Sequence, residues 1–392
     1  MDNTDNHIYY DISIFNNDTS GDMPVNLSFN EMRSGGSLID IPENYFFSIV
    51  RFELDSASNF PVFIPQALSG SLNDLIYTFV IETVQKDNAG NELNTSIYKR
   101  RVVYTPTNPN IRTPNPAKEN FSDEYYYINN FQRWMDMVNT CLKAIHSTIG
   151  AEIDGLNIQP PFIQYDSNSG KVFLYTSQYY VDGFANTLQL NLYWNSPTDT
   201  IFNGFDTTKI PKAQAQIFDA QAPIQGGSHI SSFYKVNIRN EGNINLKYFG
   251  ITGALRAWVL TQQAYASLSM CSPIQNIVFT TSGNLPIANS QQASPVVFTS
   301  AGDCAIQGGA DNISPILTDF IVPLTRGDEY KPKINYSPSV YRLIDLKGNA
   351  PLKNCDLQVY WKSKIDCKLY PLVLGSQCGA SCKIMFRKKK SY

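Results

Sequence analysis

The side chains best suited to catalysis or metal binding are sparse in this sequence. Its three histidines (His7, His146 and His229) are far apart, and none has a cysteine or an acidic residue at metal-ligand spacing. The glycine pairs at 226–227 and 308–309 lack the Lys-Ser/Thr pair of a phosphate-binding loop, and the Gly-x-Ser-x-Gly turn of serine hydrolases does not occur. The sequence therefore predicts no catalytic residue, no metal site and no cofactor site, and we do not expect an enzyme.

Cysteine is the second residue type that could bind a metal or carry redox chemistry. Cys355, Cys367, Cys378 and Cys382 lie close enough in sequence to offer four thiolates to zinc. Their spacing fits no common zinc ribbon, and Cys355 and Cys382 fall on apolar faces of predicted strands, where cysteine packs as a small hydrophobe. No basic segment followed by an apolar run begins the sequence, so we expect synthesis in a reducing compartment. Free thiols are the prediction, with zinc and a disulfide as the alternatives.

One short segment is a candidate for attachment to a host surface. Arg326, Gly327 and Asp328 form the tripeptide found in integrin ligands. Three residues carry little information, and the polar residues that follow them are compatible with an ordinary turn. Chance occurrence in a turn is therefore the simpler interpretation.

A basic run near the end of the sequence is a candidate for contact with a polyanion such as DNA. The chain carries a net charge of −3, which argues against nucleic-acid binding by the protein as a whole. Residues 335–392, however, contain 11 Lys and Arg against 3 Asp and Glu. Arg387, Lys388, Lys389 and Lys390 form the basic run, for which a solvated face of a sheet is the alternative interpretation.

The elements that must hold these residues are predominantly strands. Apolar residues make up 43% of the chain, aromatic residues 12% and charged residues 17%, a balance typical of sheets with a real core. Between about 267 and 386, short runs alternate between apolar and polar residues, and Cys355, Leu357, Val359 and Trp361 give the clearest example. Turn signals separate the runs, and no apolar run is long enough to span a membrane. This pattern predicts an antiparallel β-sandwich.

The middle of the chain departs from the strand pattern. The proline-rich stretch 105–116 indicates a boundary, and an amphipathic helix is predicted over 123–148 with Ser122 as its cap. We expect this helix to dock on a sheet, the alternative being an oligomer contact. His146 is expected to cap its end. A long polar loop is predicted over 214–227.

These signals predict a sandwich that is interrupted by an insertion. Residues 1–112 supply the N-terminal strands and residues 267–392 the C-terminal strands of one domain. Residues 113–266 form a second domain inserted between them, with strands and one long helix.

Several sequence blocks in the last third of the chain occur in the same order in a known group of viral proteins. The blocks are Ser272–Thr280, Asn284–Ile287, Ile316–Phe320, Tyr336–Leu346, Pro351–Leu352, Asp356–Lys362, Tyr370–Leu374 and Lys383–Lys389. With them the sequence resembles the minor capsid (penton) proteins of virophages and related polinton-like viruses, most of all those of the Sputnik type. Residues 1–260 resemble these proteins only in length and in the strand–insertion–strand layout.

The resemblance implies a jelly-roll β-sandwich that carries an outer insertion domain. It further implies a homopentamer that closes the fivefold vertices of an icosahedral capsid, beside trimers of a major capsid protein. We therefore expect a structural protein of the virion, made and assembled in the host cytoplasm. The basic run would then face inward toward packaged DNA, and we expect deletion of 387–392 to weaken DNA contact but leave pentamers intact.

A β-sandwich module for attachment or glycan binding is the competing interpretation. Its ligand would be held by aromatic residues in loops of the insertion. Oligomeric order separates the two functions, since a pentamer indicates a penton and a trimer with glycan affinity indicates an attachment protein. Both functions are compatible if the insertion also binds a host-surface ligand.

Overall fold

The chain divides into two compact units. A computed structural model describes residues 7–19, 25–55, 61–107, 111, 113–114, 124–152, 158–183, 187–220, 232–239, 243–246, 256–288, 291–293, 295, 314–322 and 333–390. One unit combines residues 1–62 with 273–392, and the other consists of residues 63–272. Strands dominate both units, which confirms the predicted β class.

The strands are numbered here in chain order, as are the α-helices. The helices are α1 (Phe131–Glu152), α2 (Ser196–Ile201) and α3 (Lys212–Ala220). Short 3-10 turns span Pro42–Asn44, Glu124–Tyr126, Gln178–Tyr180 and Leu268–Cys271. The strands are β1 (His7–Phe15), β2 (Val25–Asn26), β3 (Ser28–Met32), β4 (Tyr45–Asp55), β5 (Asp74–Lys86), β6 (Glu92–Val103), β7 (Phe162–Asp166), β8 (Lys171–Thr176), β9 (Leu188–Asn195), β10 (Thr207–Lys209), β11 (Phe233–Val236), β12 (Asn243–Leu246), β13 (Arg256–Gln262), β14 (Ile274–Thr280), β15 (Gln291–Ala293), β16 (Ser314–Phe320), β17 (Lys333–Tyr336), β18 (Ile344–Asp345), β19 (Asn354–Ser363), β20 (Leu369–Pro371), β21 (Val373–Leu374) and β22 (Gly379–Lys388).

Two large sheets build the first unit, and β2 and β21 form a separate two-stranded sheet. One large sheet has the order β1-β22-β4-β17, with β18 also paired to β4, and the other has the order β15-β16-β14-β19-β20, with β3 also paired to β19. The eight principal strands, in chain order, are β1, β3, β4, β14, β16, β17, β19 and β22. Numbered from one to eight in that order, they form sheets that read 1-8-3-6 and 2-7-4-5. This double Greek-key arrangement is a jelly roll, and it confirms the predicted fold.

The core of the jelly-roll unit lies between its two sheets. The Phe52 ring on β4 meets three rings of the other sheet, with centroid distances of 5.1 Å to Phe279, 6.0 Å to Phe320 and 6.4 Å to Phe29. All four side chains are buried. Edge-to-face and tilted pairs of this kind contribute about 0.5–1.5 kcal/mol each beyond the burial of their area. This aromatic cluster therefore joins the two sheets of the sandwich.

The second unit occupies the connection between β4 and β14, the third and fourth strands of the jelly roll. Strands β5 and β6 belong to this insertion, because β5 pairs with β9 over Phe79–Gln85. The boundaries predicted at 112/113 and 266/267 differ from the observed divisions at 62/63 and 272/273. The proline-rich stretch that suggested the first boundary lies between β6 and α1, inside the insertion.

The inserted unit combines two sheets with α1. The sheets have the orders β10-β11-β9-β5-β6 and β12-β13-β8-β7. The apolar stripe predicted for the helix is buried: Phe131, Trp134, Val138, Leu142 and Ile145 are all at most 4% exposed. The helix is docked on β6 and β7, as the amphipathic pattern predicted.

Helix α1 begins later than the sequence pattern indicates. The Asn130 side chain accepts a hydrogen bond from the Gln132 backbone N–H at 2.7 Å, so this residue acts as the cap. The preceding Tyr125 and Tyr126 instead pack on Tyr104, with ring centroids 5.5 and 5.3 Å away. The predicted cap, Ser122, lies outside the described residues. Burial of tyrosines thus replaces the first two turns of the predicted helix.

The predicted loop over 214–227 is wrong for its first part, which forms the end of α3. Ala215 and Phe218 pack into a buried cluster with Val80 and Phe233. The Lys99 ammonium donates to the Phe218 carbonyl oxygen at 3.1 Å and lies 3.3 Å from the Asp219 carboxylate. A cation at the end of a helix favours the helical state through the dipole. Residues 221–231 lie outside the described part of the chain.

Candidate assembly surface

The histidines are not brought together by the fold. Over the residues that the structure describes, no group of three or more His, Cys, Asp and Glu side chains is placed to hold a metal ion. His146 lies inside α1, is 8% exposed, and has its pKa lowered by burial. The prediction that it caps the helix is wrong, because α1 continues to Glu152. His7 lies on β1 opposite Arg387, and His229 is outside the described residues.

The cysteines predicted to pack as hydrophobes do so. Cys355 and Cys382 are fully buried in the jelly-roll core, and both carry free thiols. Burial raises the pKa of the Cys355 thiol to about 12, and it also raises the pKa of Cys382. A raised pKa disfavours the thiolate that zinc requires. Cys378 is a buried free thiol, whereas Cys367 is exposed at a turn with φ of 60°.

Of the two segments predicted to bind partners, the structure describes the basic run but not the tripeptide. The tripeptide Arg326, Gly327 and Asp328 lies outside the described residues, and its role stays a prediction. The first two residues of the basic run, by contrast, belong to β22, the strand held between β1 and β4. Arg387 is opposite His7 on one side and Phe46 on the other. The basic run is therefore an ordered end of a sheet.

Lys389 is the member of the basic run that the fold itself uses. Its backbone N–H donates to the Asn44 carbonyl oxygen at 2.7 Å, and its ammonium forms an ion pair with Asp345. The same ammonium donates to the Glu43 carbonyl oxygen at 2.5 Å and lies 5.1 Å from the centroid of the Phe46 ring. These contacts neutralise Lys389 locally, while Lys388 and Lys390 are exposed. The charge available to a partner is thus smaller than the sequence count indicates.

A network of half-exposed ion pairs crosses the outer face of the same sheet. The Asp11 carboxylate on β1 lies 2.9 Å from the Arg51 guanidinium and 3.6 Å from the Lys383 ammonium. Arg51 in turn lies 3.7 Å from Glu53. Each exposed pair contributes at most about 1 kcal/mol to stability. The network leaves a face of alternating charge in place of a contiguous apolar one.

Exposed apolar side chains of the jelly-roll unit include the Tyr9 ring, which lies on this charged face with the Lys383 ammonium 5.5 Å from its centroid. Single exposed apolar residues are ordinary on a protein surface, but groups of them mark sites of association. Those of the described residues in this unit are Tyr9, Phe15, Val25, Met32, Ile41, Ile321, Val340, Tyr341, Leu343 and Ile365. The alternation rule did not identify these residues as a surface. One feature of the sequence could have identified part of this surface. Val340, Tyr341 and Leu343 are apolar although they follow Pro338 in a turn region, where they are not needed to fill the core of a sheet.

A jelly roll with a large insertion, whose described surface carries charged networks and exposed apolar side chains, is an architecture suited to association with other proteins. The sequence model of the family described as Sputnik minor capsid protein V18/19 matches residues 8–388. The chain belongs to this family, and it is a minor capsid protein.

Curated relatives and solved structures agree with this assignment. The chain is 26% identical to structural protein V19 of Sputnik virophage over 233 residues, 57% of this chain and 93% of the relative. It is 29% identical to the uncharacterized protein V18 of the same virophage over 153 residues, 37% of this chain and 86% of the relative.

Two solved structures share the fold over nearly the whole chain. A chain in the cryo-EM structure of the Sputnik virophage superposes with a TM-score of 0.73 at 24% identity, covering 98% of both chains. The mavirus penton protein superposes with a TM-score of 0.57 at 17% identity, covering 98% of this chain and 99% of the other. The described residues of the present chain include no helix long and apolar enough to cross a membrane.

Proposed function

We propose that this minor capsid protein forms homopentamers that close the fivefold vertices of an icosahedral capsid of a DNA virus. The observation that carries the proposal is the extent of the match to a penton protein: the fold is shared over 98% of this chain and 99% of the mavirus penton protein. Jelly roll and insertion are therefore matched together. A function that needs only one of the two units would not require this correspondence.

The proposed pentamer has two kinds of neighbour. Each subunit contacts the next one around the ring through two different surfaces, because a closed ring with more than two members needs heterologous contacts. The outer rim of the ring contacts trimers of a major capsid protein. The inserted unit faces outward, where it is available to a host-surface ligand, and assembly takes place in the host cytoplasm.

Molar mass in solution tests the proposal directly. Light scattering behind a sizing column should give a mass near five times 44.0 kDa, the mass of one chain. Electron micrographs of the same fraction should show rings with fivefold symmetry. A stable trimer, or single chains at every concentration tested with and without the major capsid protein, would contradict the proposal. A trimer that binds glycans would favour the attachment function.

The basic run supports a further part of this proposal, contact with packaged DNA. Arg387, Lys388 and Lys390 lie at one end of the five-stranded sheet, and none of them belongs to an ion pair among the described residues. Positive side chains bind DNA through its phosphates without regard to sequence, which suits a capsid interior. In the proposed pentamer, this end of the sheet faces the interior of the capsid, and substitution of Lys388 and Lys390 tests its contact with DNA.

A further inference from the structure

The two edges of the jelly-roll sandwich carry separate groups of exposed apolar side chains. At one edge lie β1 and β3, the first strands of the two sheets. Tyr9, Phe15 and Met32 on these strands are 49%, 60% and 69% exposed, and we call them the β1 flank. The Arg33 guanidinium lies 5.4 Å from the centroid of the Tyr10 ring, so the two strands close this edge together.

The opposite edge is formed by β17 in one sheet and, in the other, by β16, of which the short β15 covers only residues 314–316. Ile321, Val340, Tyr341 and Leu343 are 75%, 82%, 45% and 39% exposed there, and we call them the β17 flank. Three of them belong to residues 337–343, which leave the sheet between β17 and β18 although both of these strands pair with β4.

Contacts across this second edge hold the β17 flank together. The Phe320 and Tyr336 rings stack with centroids 4.0 Å apart, which joins β16 to β17. The Arg342 guanidinium lies 3.5 Å from the Asp319 carboxylate, which ties residues 337–343 to β16. Three of the exposed apolar side chains thus lie in a loop segment that contacts β16.

The two flanks are level with each other along the strands. The strand pairings of the sheet β1-β22-β4-β17 relate residues on its two edges. Through β4 and β22, Tyr336 lies at the same height along the strands as Ile12, and Ile344 at the same height as Ile8. Along the strand direction, the segment 337–343 therefore lies at the height of residues 9–11 on the opposite edge. A rotation about an axis parallel to the strands preserves this level. It would bring the β17 flank of one copy against the β1 flank of the next.

We propose that the β17 flank of one subunit packs against the β1 flank of its neighbour and that this contact, repeated, closes the ring. The inference rests on the proposed pentamer and names the surfaces that would form it. Val340 and Tyr341 are the side chains expected to be most buried by the contact. Large apolar side chains at the centre of an interface contribute most of its binding free energy.

A second copy is the partner that accounts for both flanks at once. A two-fold dimer would need one self-complementary patch, and a single contact with a different protein would need one flank only. Here two different apolar groups lie on opposite edges at the same level. That is the geometry of a heterologous contact that repeats around a ring. The exposed pair Asp319–Arg342 would form the polar rim of this interface.

Cysteine cross-linking of the full chain tests the contact. The double variant Tyr9→Cys/Val340→Cys, treated with a short bis-maleimide linker, should give a ladder of covalent species that ends at five chains on a denaturing gel. Neither single variant should exceed the wild-type background, since each places its cysteine on one flank only. A mixture of the two single variants, assembled together, should give cross-linked dimers.

A matched control places the second cysteine away from the flanks. Ile365 is 50% exposed in the turn that follows β19, at the opposite end of that strand from Asn354, the partner of Met32. The variant Val340→Cys/Ile365→Cys should therefore stay at background. Since Cys367 is exposed, wild-type protein treated in parallel defines that background.

The disruptive variant Val340→Asp gives an independent readout. Its side chain is 82% exposed in the single chain, so the fold should be retained and far-UV circular dichroism should be unchanged. The pentamer fraction at a fixed concentration should fall by at least about tenfold. A pentamer that persists in Val340→Asp and gives no ladder in the double-cysteine variant would overturn the inference and leave the proposed function standing. Wild-type protein that never forms a pentamer would overturn both.

Discussion

At the scale of single residues, the basic run shows how a fold can change the meaning of a charge count. Four successive cationic residues suggest one polyanion site, yet Lys389 is paired with Asp345 and donates to backbone carbonyl groups. Lys388 and Lys390 remain exposed to either side of it. Deletion of 387–392 would also remove the pairing of Arg387 and Lys388 with β4, so substitutions test DNA contact more cleanly.

We expect the double variant Lys388→Ala/Lys390→Ala to bind double-stranded DNA more weakly than the wild-type protein. The slope of log affinity against log salt should become shallower by about 0.9 for each phosphate that the variant no longer neutralises. Lys389→Ala serves as the matched control and should change the slope less, because its ammonium is already paired. Equal effects of the two variants, or an unchanged slope in the double variant, would contradict DNA contact by this end of the sheet.

The cysteines allow a second prediction at this scale. Cys355 and Cys382 are buried and the pKa of Cys355 is raised to about 12, so neither should react with a thiol reagent at pH 8 while the protein is folded. Cys367 is exposed and should react quickly. Cys367→Ser should remove one fast-reacting thiol, while Cys355→Ala should leave the number of fast-reacting thiols unchanged. Loss of a fast thiol in Cys355→Ala would contradict the burial.

The raised pKa of the Cys355 thiol also determines whether the stability of the fold rises or falls at alkaline pH. An unfolded cysteine loses its proton near pH 9.0, whereas folded Cys355 keeps its proton up to about 12. The folded state therefore binds more protons in this window, and stability should decrease as the pH rises from about 9 to 12. Cys355→Ala should show a shallower alkaline decrease in the free energy of unfolding than the wild-type protein.

At the scale of elements, periodicity predicted strands well and their faces less well. The alternation of Cys355, Leu357, Val359 and Trp361 is confirmed, since all four are at most 2% exposed. In β4 the same rule predicts one inward face for Ser48, Val50, Phe52 and Leu54. A bulge opposite Lys383 and Ile384 changes the register, so that Phe47 and Phe52 both face the core. A single inserted residue is invisible to a pattern that assumes a period of two.

The sequence predicted helix α1, whose apolar stripe is long, but not helix α3, whose apolar stripe is short. The buried residues of α1 recur over five turns, whereas α3 has nine residues and an Ala- and Gln-rich sequence. Its stability comes from tertiary contacts of Phe218 and of Lys99, which lies more than a hundred residues away in sequence. Contacts of that kind cannot be read from a local window.

Helix α1 offers a test of how it is held to its sheet. The Asn139 side chain donates to the Ile163 carbonyl oxygen at 2.9 Å and accepts from the Ile163 N–H at 2.7 Å. Asn139→Ala leaves both groups of β7 without this partner, and we expect the free energy of unfolding to fall by about 1–3 kcal/mol. Gln132→Ala, at an exposed position of the same helix, is the control and should change it by less than about 0.5 kcal/mol. Similar values for the two variants would contradict the docking role.

At the scale of the whole molecule, the sequence predicted a sandwich with an insertion but not the place of division. Strands β5 and β6 look like their jelly-roll counterparts in composition and alternation. Only the pairing of β5 with β9, together with that of β6 with β5, assigns them to the insertion, and pairing partners far apart in sequence leave no local signal. The resemblance in the last third of the chain supplied the fold, because local patterns do not distinguish a jelly roll from other sandwiches.

The division into two units predicts that the jelly roll folds without its insertion. Replacing residues 63–272 by a flexible Gly-Ser linker should leave a protein with a β-type far-UV spectrum and a cooperative thermal transition, since the aromatic cluster around Phe52 is intact. The same replacement in a Phe52→Ala background should lose about 3–5 kcal/mol of stability. A linker variant without a cooperative transition would show that the units depend on each other.

The position of β22 has a consequence for how the protein is made. This strand follows all the others in the sequence, yet it lies between β1 and β4, the strands formed from the first part of the chain. During translation, β1 and β4 must wait with facing edges open until the strand that fills the gap has been made. A prematurely ended chain would therefore lack a middle strand and leave two unsatisfied edges. Such open edges are prone to pairing with other chains, so correct folding of the jelly roll depends on the strand that is made last among those described.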